Sequence, residues 1–132
     1  IRSVAKLMEL KAGEKQIQFD YKLADVPFFI SADAQQMEQV LINVVKNAIE
    51  SIEEKGTITF EANLQKRSLT ITDTGKEISA HIAENLFSPF FSTKKDGQGI
   101  GLTLVREILL NHGFEFSLKT VAEKQTEFLI RF

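Results

Sequence analysis

Between Ile17 and Phe132 the apolar residues change period repeatedly, and no other feature restricts the possible folds as much. Ile17, Phe19, Tyr21 and Leu23 alternate with Gln18, Asp20 and Lys22, the two-residue period of a strand with one wet face. Strands are likewise expected over Thr57–Leu64 and Ser68–Thr72, joined through Gln65, Lys66 and Arg67, and over Phe114–Lys119 and Thr126–Phe132. Between them, Asp33 to about Glu54 carries the helical period, with Ser31 or Asp33 as its cap and Gly56 as its end. A short helix is expected near Ser79–Leu86, and another from Gly101 to His112–Gly113. Ile1 to Ala12 reads as the tail of a helix closed by Gly13, and Val26–Ile30 as a connection around Pro27. Strands wet on one face do not suit a doubly wound sheet, whose strands are buried on both. The expected fold is therefore α+β, a two-layer sandwich in which a mixed sheet of about five strands carries about three helices on one face.

At 132 residues, 43% hydrophobic and 26% charged, the chain has enough apolar material for one self-supporting domain. Cysteine is absent, which removes disulfides, thiolate zinc sites and cysteine nucleophiles. With 16 basic against 18 acidic residues, there is no electrostatic footprint for nucleic acid or an anionic membrane. No apolar run approaches the roughly 18 residues that span a bilayer, and no signal-peptide pattern opens the chain. The chain starts at Ile1 rather than Met, so it is expected to be a piece of a longer protein.

Four groups of residues carry potential chemistry. Asn43 and Asn47, four residues apart, share one face of the long helix at the edge of its apolar arc. An amide oxygen there suits a magnesium ion that keeps waters and phosphate oxygens. Asp73 shares strand parity with Leu69 and Ile71, so its carboxylate points toward the apolar layer and needs a donor, such as a ligand amine. Gly97-Gln98-Gly99-Ile100-Gly101-Leu102 leads into a helix, where close glycines and a helix N-terminus favour phosphate, and Lys94 and Lys95 stand just before it. Phe87-Ser88-Pro89-Phe90-Phe91-Ser92-Thr93-Lys94 gathers aromatics around a proline, as a loop anchor or as core. Thr126 shares parity with Phe128, Ile130 and Phe132, so a hydroxyl faces the core side. Taken singly, each group also has an ordinary structural explanation: exposed amides, a strand-to-turn Asp-Gly, a flexible loop.

In this order the groups resemble the ATP-binding catalytic domain of bacterial sensor histidine kinases, of the superfamily that includes Hsp90, DNA gyrase and MutL. Asn43-Val44-Val45-Lys46-Asn47-Ala48 is similar to the N box, Asp73-Thr74-Gly75 to the G1 box, Phe87–Lys94 to the F box and Gly97–Leu102 to the G2 box. Gln125-Thr126-Glu127-Phe128 is similar to the closing Gly-Thr-x-Phe strand. The resemblance implies ATP and Mg2+ as ligands, with Asn47 on the metal and Asn43 on the phosphates or the metal's water shell. It implies Asp73 on the adenine amine, Gly75 giving the base room beside the backbone, and Thr126 reaching adenine through water. Phe87, Lys94, Lys95, Gly97, Gln98, Gly99, Ile100, Gly101 and Leu102 would surround the nucleotide, with a short lid between Phe91 and Gly97. Its wording is closest to the nitrogen-regulation and sporulation kinases.

The same resemblance implies a Bergerat-type fold over residues 13–132, preceded in residues 1–12 by the end of a dimerisation helix. The implied partners are the histidine-bearing dimerisation domain of the same protein and, indirectly, a response regulator, with a homodimeric parent and a cytoplasmic location for this part. Departures from the family pattern keep other readings open. Glu77 replaces the second G1 glycine, which suits a nucleotide module without catalysis. Glu50 stands where some relatives have a basic residue that could meet the γ-phosphate. Asn43 stands where hydrolytic relatives have a catalytic glutamate, which weighs against an ATPase and leaves a serine kinase as a further alternative. His81 reads as a solvated surface residue and His112 as the end of a helix against Gly113, where a cation or a carbonyl-bonding imidazole is favourable, so neither suits the phospho-acceptor.

Overall fold

The computed structural model describes residues 15–22, 33–63, 65–75 and 100–132. They form β1 (Gln16–Lys22), α1 (Ala34–Ser51), β2 (Lys55–Asn63), β3 (Ser68–Asp73), α2 (Ile100–Asn111), β4 (Glu115–Ala122) and β5 (Gln125–Arg131). The five strands make one sheet in the order β1-β2-β3-β5-β4. β1 runs parallel to β2 across the α1 connection, and every other pairing is antiparallel. The expected mixed sheet and α+β sandwich are thus present, with two helices among the described residues. The short helix expected near 79–86, the helix tail at 1–12 and the stretch at 26–30 lie outside them.

Strand parity sets the layers. Ile58, Phe60, Leu69, Ile71, Leu118, Phe128 and Ile130 are buried on the helix side, together with Val40, Val44 and Val45 of α1 and Val105, Ile108 and Leu109 of α2. The opposite face carries Thr57, Thr59, Thr70 and Thr72, all half-buried, so water is tolerated there and a second helical layer is not required. On the β1 edge, Tyr21 stacks on Phe60 at 5.4 Å between ring centroids.

Asp33 caps α1 by accepting from the Gln36 amide at 2.9 Å, one of the two expected caps. The far end differs from expectation. α1 stops at Ser51, and Ile52 turns to extended backbone (φ −89°, ψ 123°) with its side chain 1% exposed. Gly56 belongs to β2, not to a helix terminus. A Cβ there would lie 2.6 Å from Thr74 Oγ1 and 3.0 Å from Ile52 Cδ1, so the glycine admits the β3 end rather than ending α1. β4 also continues beyond Lys119 to Ala122, because Lys124 takes a left-handed φ of 52° and closes a tight hairpin into β5. Other strand ends agree with expectation within one or two residues.

Three long-range bonds fix the two ends of α1. His112, at the end of α2, bonds through Nδ1 to the Ile108 carbonyl at 2.8 Å and accepts the Asp33 amide on Nε2 at 3.1 Å. The first of these is the expected helix-ending bond, and the second ties the end of α2 to the start of α1. At the other end of α1, Lys15 Nζ donates to the carbonyls of Ile49 (2.9 Å) and Ile52 (2.7 Å). A cation there satisfies terminal carbonyls and complements the helix dipole. Lys15→Met is expected to cost about 1–2 kcal/mol, read as a fall of several degrees in thermal midpoint.

Candidate nucleotide-binding site

Asp73 closes β3 on the helix side of the sheet and is 7% exposed, as parity with Leu69 and Ile71 requires. Its Oδ1 accepts from the Gly75 amide at 2.9 Å and from the Ser51 hydroxyl at 3.1 Å. Neither donor reaches Oδ2, and no buried side-chain nitrogen or oxygen among the described residues is left without a partner. Burial raises the carboxyl's pKa above its ordinary 3.8, and the bonds from Gly75 and Ser51 offset part of the rise.

Beside Asp73 on the neighbouring strand lies Thr126, its cross-strand partner, 3% exposed. The hydroxyls of Thr126 and Thr120 are 3.1 Å apart, so the core-side hydroxyl has the partner it needs. Gly75 sits against the last turn of α1. A Cβ on it would run into Ser51 Oγ and come within 2.7 Å of the Ser51 carbonyl carbon and oxygen. Its bareness admits the close contact with the end of α1.

Asn43 and Asn47 are both half-buried, on the border of the α1 apolar face as expected. Asn43 Oδ1 accepts from Gln39 Nε2 at 2.8 Å. Ser51 continues the same row one turn further, so Asn43, Asn47 and Ser51 form a polar edge along α1 that ends on Asp73. Ser51 is not among the residues expected above, and the signal that points to it is the same four-residue spacing.

α2 begins at Ile100, so the amides of Ile100, Gly101 and Leu102 lie in its first turn, where backbone N–H groups lack helical acceptors. The Leu102 side chain is buried in the core at 8% exposure, so any contact it offers a ligand comes through its backbone. Phe87, Lys94, Lys95, Gly97, Gln98 and Gly99 lie outside the described residues, as do Glu77 and His81. Among the described residues the structure therefore brings together Asp73, Gly75, Thr126 and Ser51, with α1 packed against both β3 and α2.

A half-wet sheet with α1 and α2 on one side, and a buried carboxylate at the end of a central strand, defines a recognisable class. Residues 32–132 match the model of the histidine kinase-, DNA gyrase B- and HSP90-like ATPase family, and the chain belongs to that family. Within it, the similarities are to the catalytic ATP-binding domains of sensor histidine kinases. Sensor histidine kinase ZraS of Salmonella typhi is 36% identical over 127 residues, a match covering 94% of this chain and 27% of ZraS. Sporulation kinase A of Bacillus subtilis is 31% identical over 134 residues, covering 100% of this chain and 22% of that kinase. The chain thus spans between 22% and 27% of the length of these curated relatives. The catalytic domain of histidine kinase ThkA superposes with a TM-score of 0.83 at 32% identity, covering 98% of this chain and 86% of that one. ThkA has also been solved in complex with the response regulator TrrA, at a TM-score of 0.82, 29% identity, and coverage of 98% of this chain and 37% of that one.

Proposed function

We propose that this domain binds Mg-ATP and presents the γ-phosphate for in-line transfer to a histidine on a partner domain. The observation that carries the reading is Asp73: a buried carboxylate at a strand end with both intramolecular bonds on one oxygen. Its second oxygen accepts no bond from the described residues and is left open, and an exocyclic base amine is a donor suited to it.

The donor set fits the rest of the ligand. Asn43 and Asn47 offer neutral, hard amide oxygens on one half-buried face, and no cluster of three His, Cys, Asp or Glu exists among the described residues to hold a metal alone. That suits a cation held largely by phosphate oxygens and water. Asn47 holds the magnesium and Asn43 the phosphates or the water shell. The metal, when bound, neutralises charge on the transferring phosphoryl group. Asp73 receives the adenine amine, Thr126 reaches the base through water, and the amides of Gly101 and Leu102, with Gly97, Gly99, Lys94 and Lys95, hold the phosphates.

These residues position and neutralise, and none moves a proton; that is most of what phosphoryl transfer asks of a protein. Asn43 cannot act as a base toward water, which favours transfer to another nucleophile; in this reading that nucleophile is the histidine of a dimerisation domain in a homodimeric parent, with a response regulator downstream. Residues 1–12 would then end the dimerisation helix, with the catalytic domain over 13–132 on the cytoplasmic side.

Calorimetric titration of the chain with ATP and MgCl2 tests the reading. Saturable binding with little turnover is expected, and no heat of binding would overturn it. In the same titration Asn47→Ala should lower Mg-ATP affinity by about tenfold or more, as loss of a metal contact does, while affinity for metal-free ATP stays as it was.

A further inference from the structure

We propose that Ser51 is a positioning residue, which fixes the Asp73 carboxylate so that one oxygen is kept for an amine on the nucleotide base. The inference rests on the ATP-binding reading above and adds to it a residue that orients the group selecting the base.

Ser51 Oγ lies 3.1 Å from Asp73 Oδ1 and 2.8 Å from the Ala48 carbonyl. The hydroxyl has a single proton for these two acceptors. A serine in the last turn of a helix needs only the carbonyl bond, a common local arrangement. The bond to Asp73 crosses 22 residues of sequence and joins α1 to the end of β3. Sharing its proton between the Ala48 carbonyl and Oδ1, the hydroxyl joins the Gly75 amide on Oδ1, and neither donor is on Oδ2. A carboxylate held through one oxygen has a fixed plane, and its other oxygen points one way as an acceptor.

Such an acceptor favours a base bearing an amine and gains nothing from one without it. The brace is itself braced. Lys15 holds the Ile49 and Ile52 carbonyls on either side of Ser51, and bare Gly75 lets the α1 end approach β3 closely.

The test compares Ser51→Ala with the unaltered chain, using two probes in the presence of magnesium: ATP and the triphosphate of purine riboside, which lacks the exocyclic amine. Loss of one hydrogen bond supporting the carboxylate should weaken ATP binding about fivefold and leave the amine-free triphosphate unchanged. Equal weakening of both probes would show a merely structural serine and overturn the proposal. Equal binding of ATP by both proteins would also overturn it. If the unaltered chain binds neither probe, the ATP-binding reading falls first and takes this one with it. Thermal unfolding of Ser51→Ala, expected within a few degrees of the unaltered chain, guards against loss of the fold as the cause of an ATP-specific effect. Ser51→Thr, which keeps the hydroxyl, should retain the preference for ATP.

Discussion

Asp73→Asn should lower ATP affinity by about a hundredfold while leaving the fold intact, since a hydrogen bond to a charged group is worth about 1.5–3 kcal/mol and tenfold is 1.4 kcal/mol. The substitution is nearly isosteric, and the amide oxygen can still accept from Gly75 and Ser51 at the Oδ1 position. The change falls on the other atom, where an NH2 group replaces an oxygen and meets the base amine donor to donor. Rotating the amide does not help, because its NH2 would then face the Gly75 amide.

Stability should move the other way. Burial raises the Asp73 pKa from 3.8, and the bonds from Gly75 and Ser51 only offset the rise. Between the unfolded and the raised folded value the native state binds more protons, so stability falls as pH rises through that interval. Asparagine does not titrate. The thermal midpoint of Asp73→Asn, relative to the unaltered chain, should therefore climb from acidic to neutral pH. Calorimetry for binding and unfolding curves at several pH values check both halves.

The second large effect is expected at Gly75. Gly75→Ala places a methyl group against Ser51 Oγ and within 2.7 Å of the Ser51 carbonyl carbon and oxygen. Overpacking of this kind costs about 1–3 kcal/mol, roughly 5–12 °C in thermal midpoint for a domain of this size. It also pushes the α1 end away from Asp73, so ATP affinity falls with stability. Removing the hydroxyl in the double variant Gly75→Ala/Ser51→Ala should restore only a small part of the loss, because the backbone atoms of Ser51 remain in the way. Full restoration would place the whole effect in the side chain and contradict the close backbone approach.

The parts of this site that were legible in the sequence are those set by local geometry. Period-two parity is enough to turn Asp73 and Thr126 to the core side, and both are buried there. Helical phase is enough to put Asn43 and Asn47 on a border, and both are half-buried. What was not legible depends on contacts far apart in the chain. The role of Gly56 becomes visible only once Thr74 lies beside it, and that of Gly75 only once Ser51 does. Lys15 reaches carbonyls 34 and 37 residues away, and no spacing rule anticipates such a reach. α1 ends at Ser51 rather than near Glu54 for a related reason. Burial of Ile52 decides where the helix stops, and burial is a property of the assembled layers.

The four outward threonines of β2 and β3 have a consequence for how the domain can associate. Threonine and valine have nearly the same shape, and both suit the pleated backbone of a strand. Thr57, Thr59, Thr70 and Thr72 therefore supply strand-forming stiffness without supplying adhesion. Four hydroxyls in place of four methyls separate a sheet that stays wetted from one that would seek another sheet to lie against. The backbone neither knows nor needs the difference; the hydroxyls let the domain use β-branched residues freely without inviting aggregation.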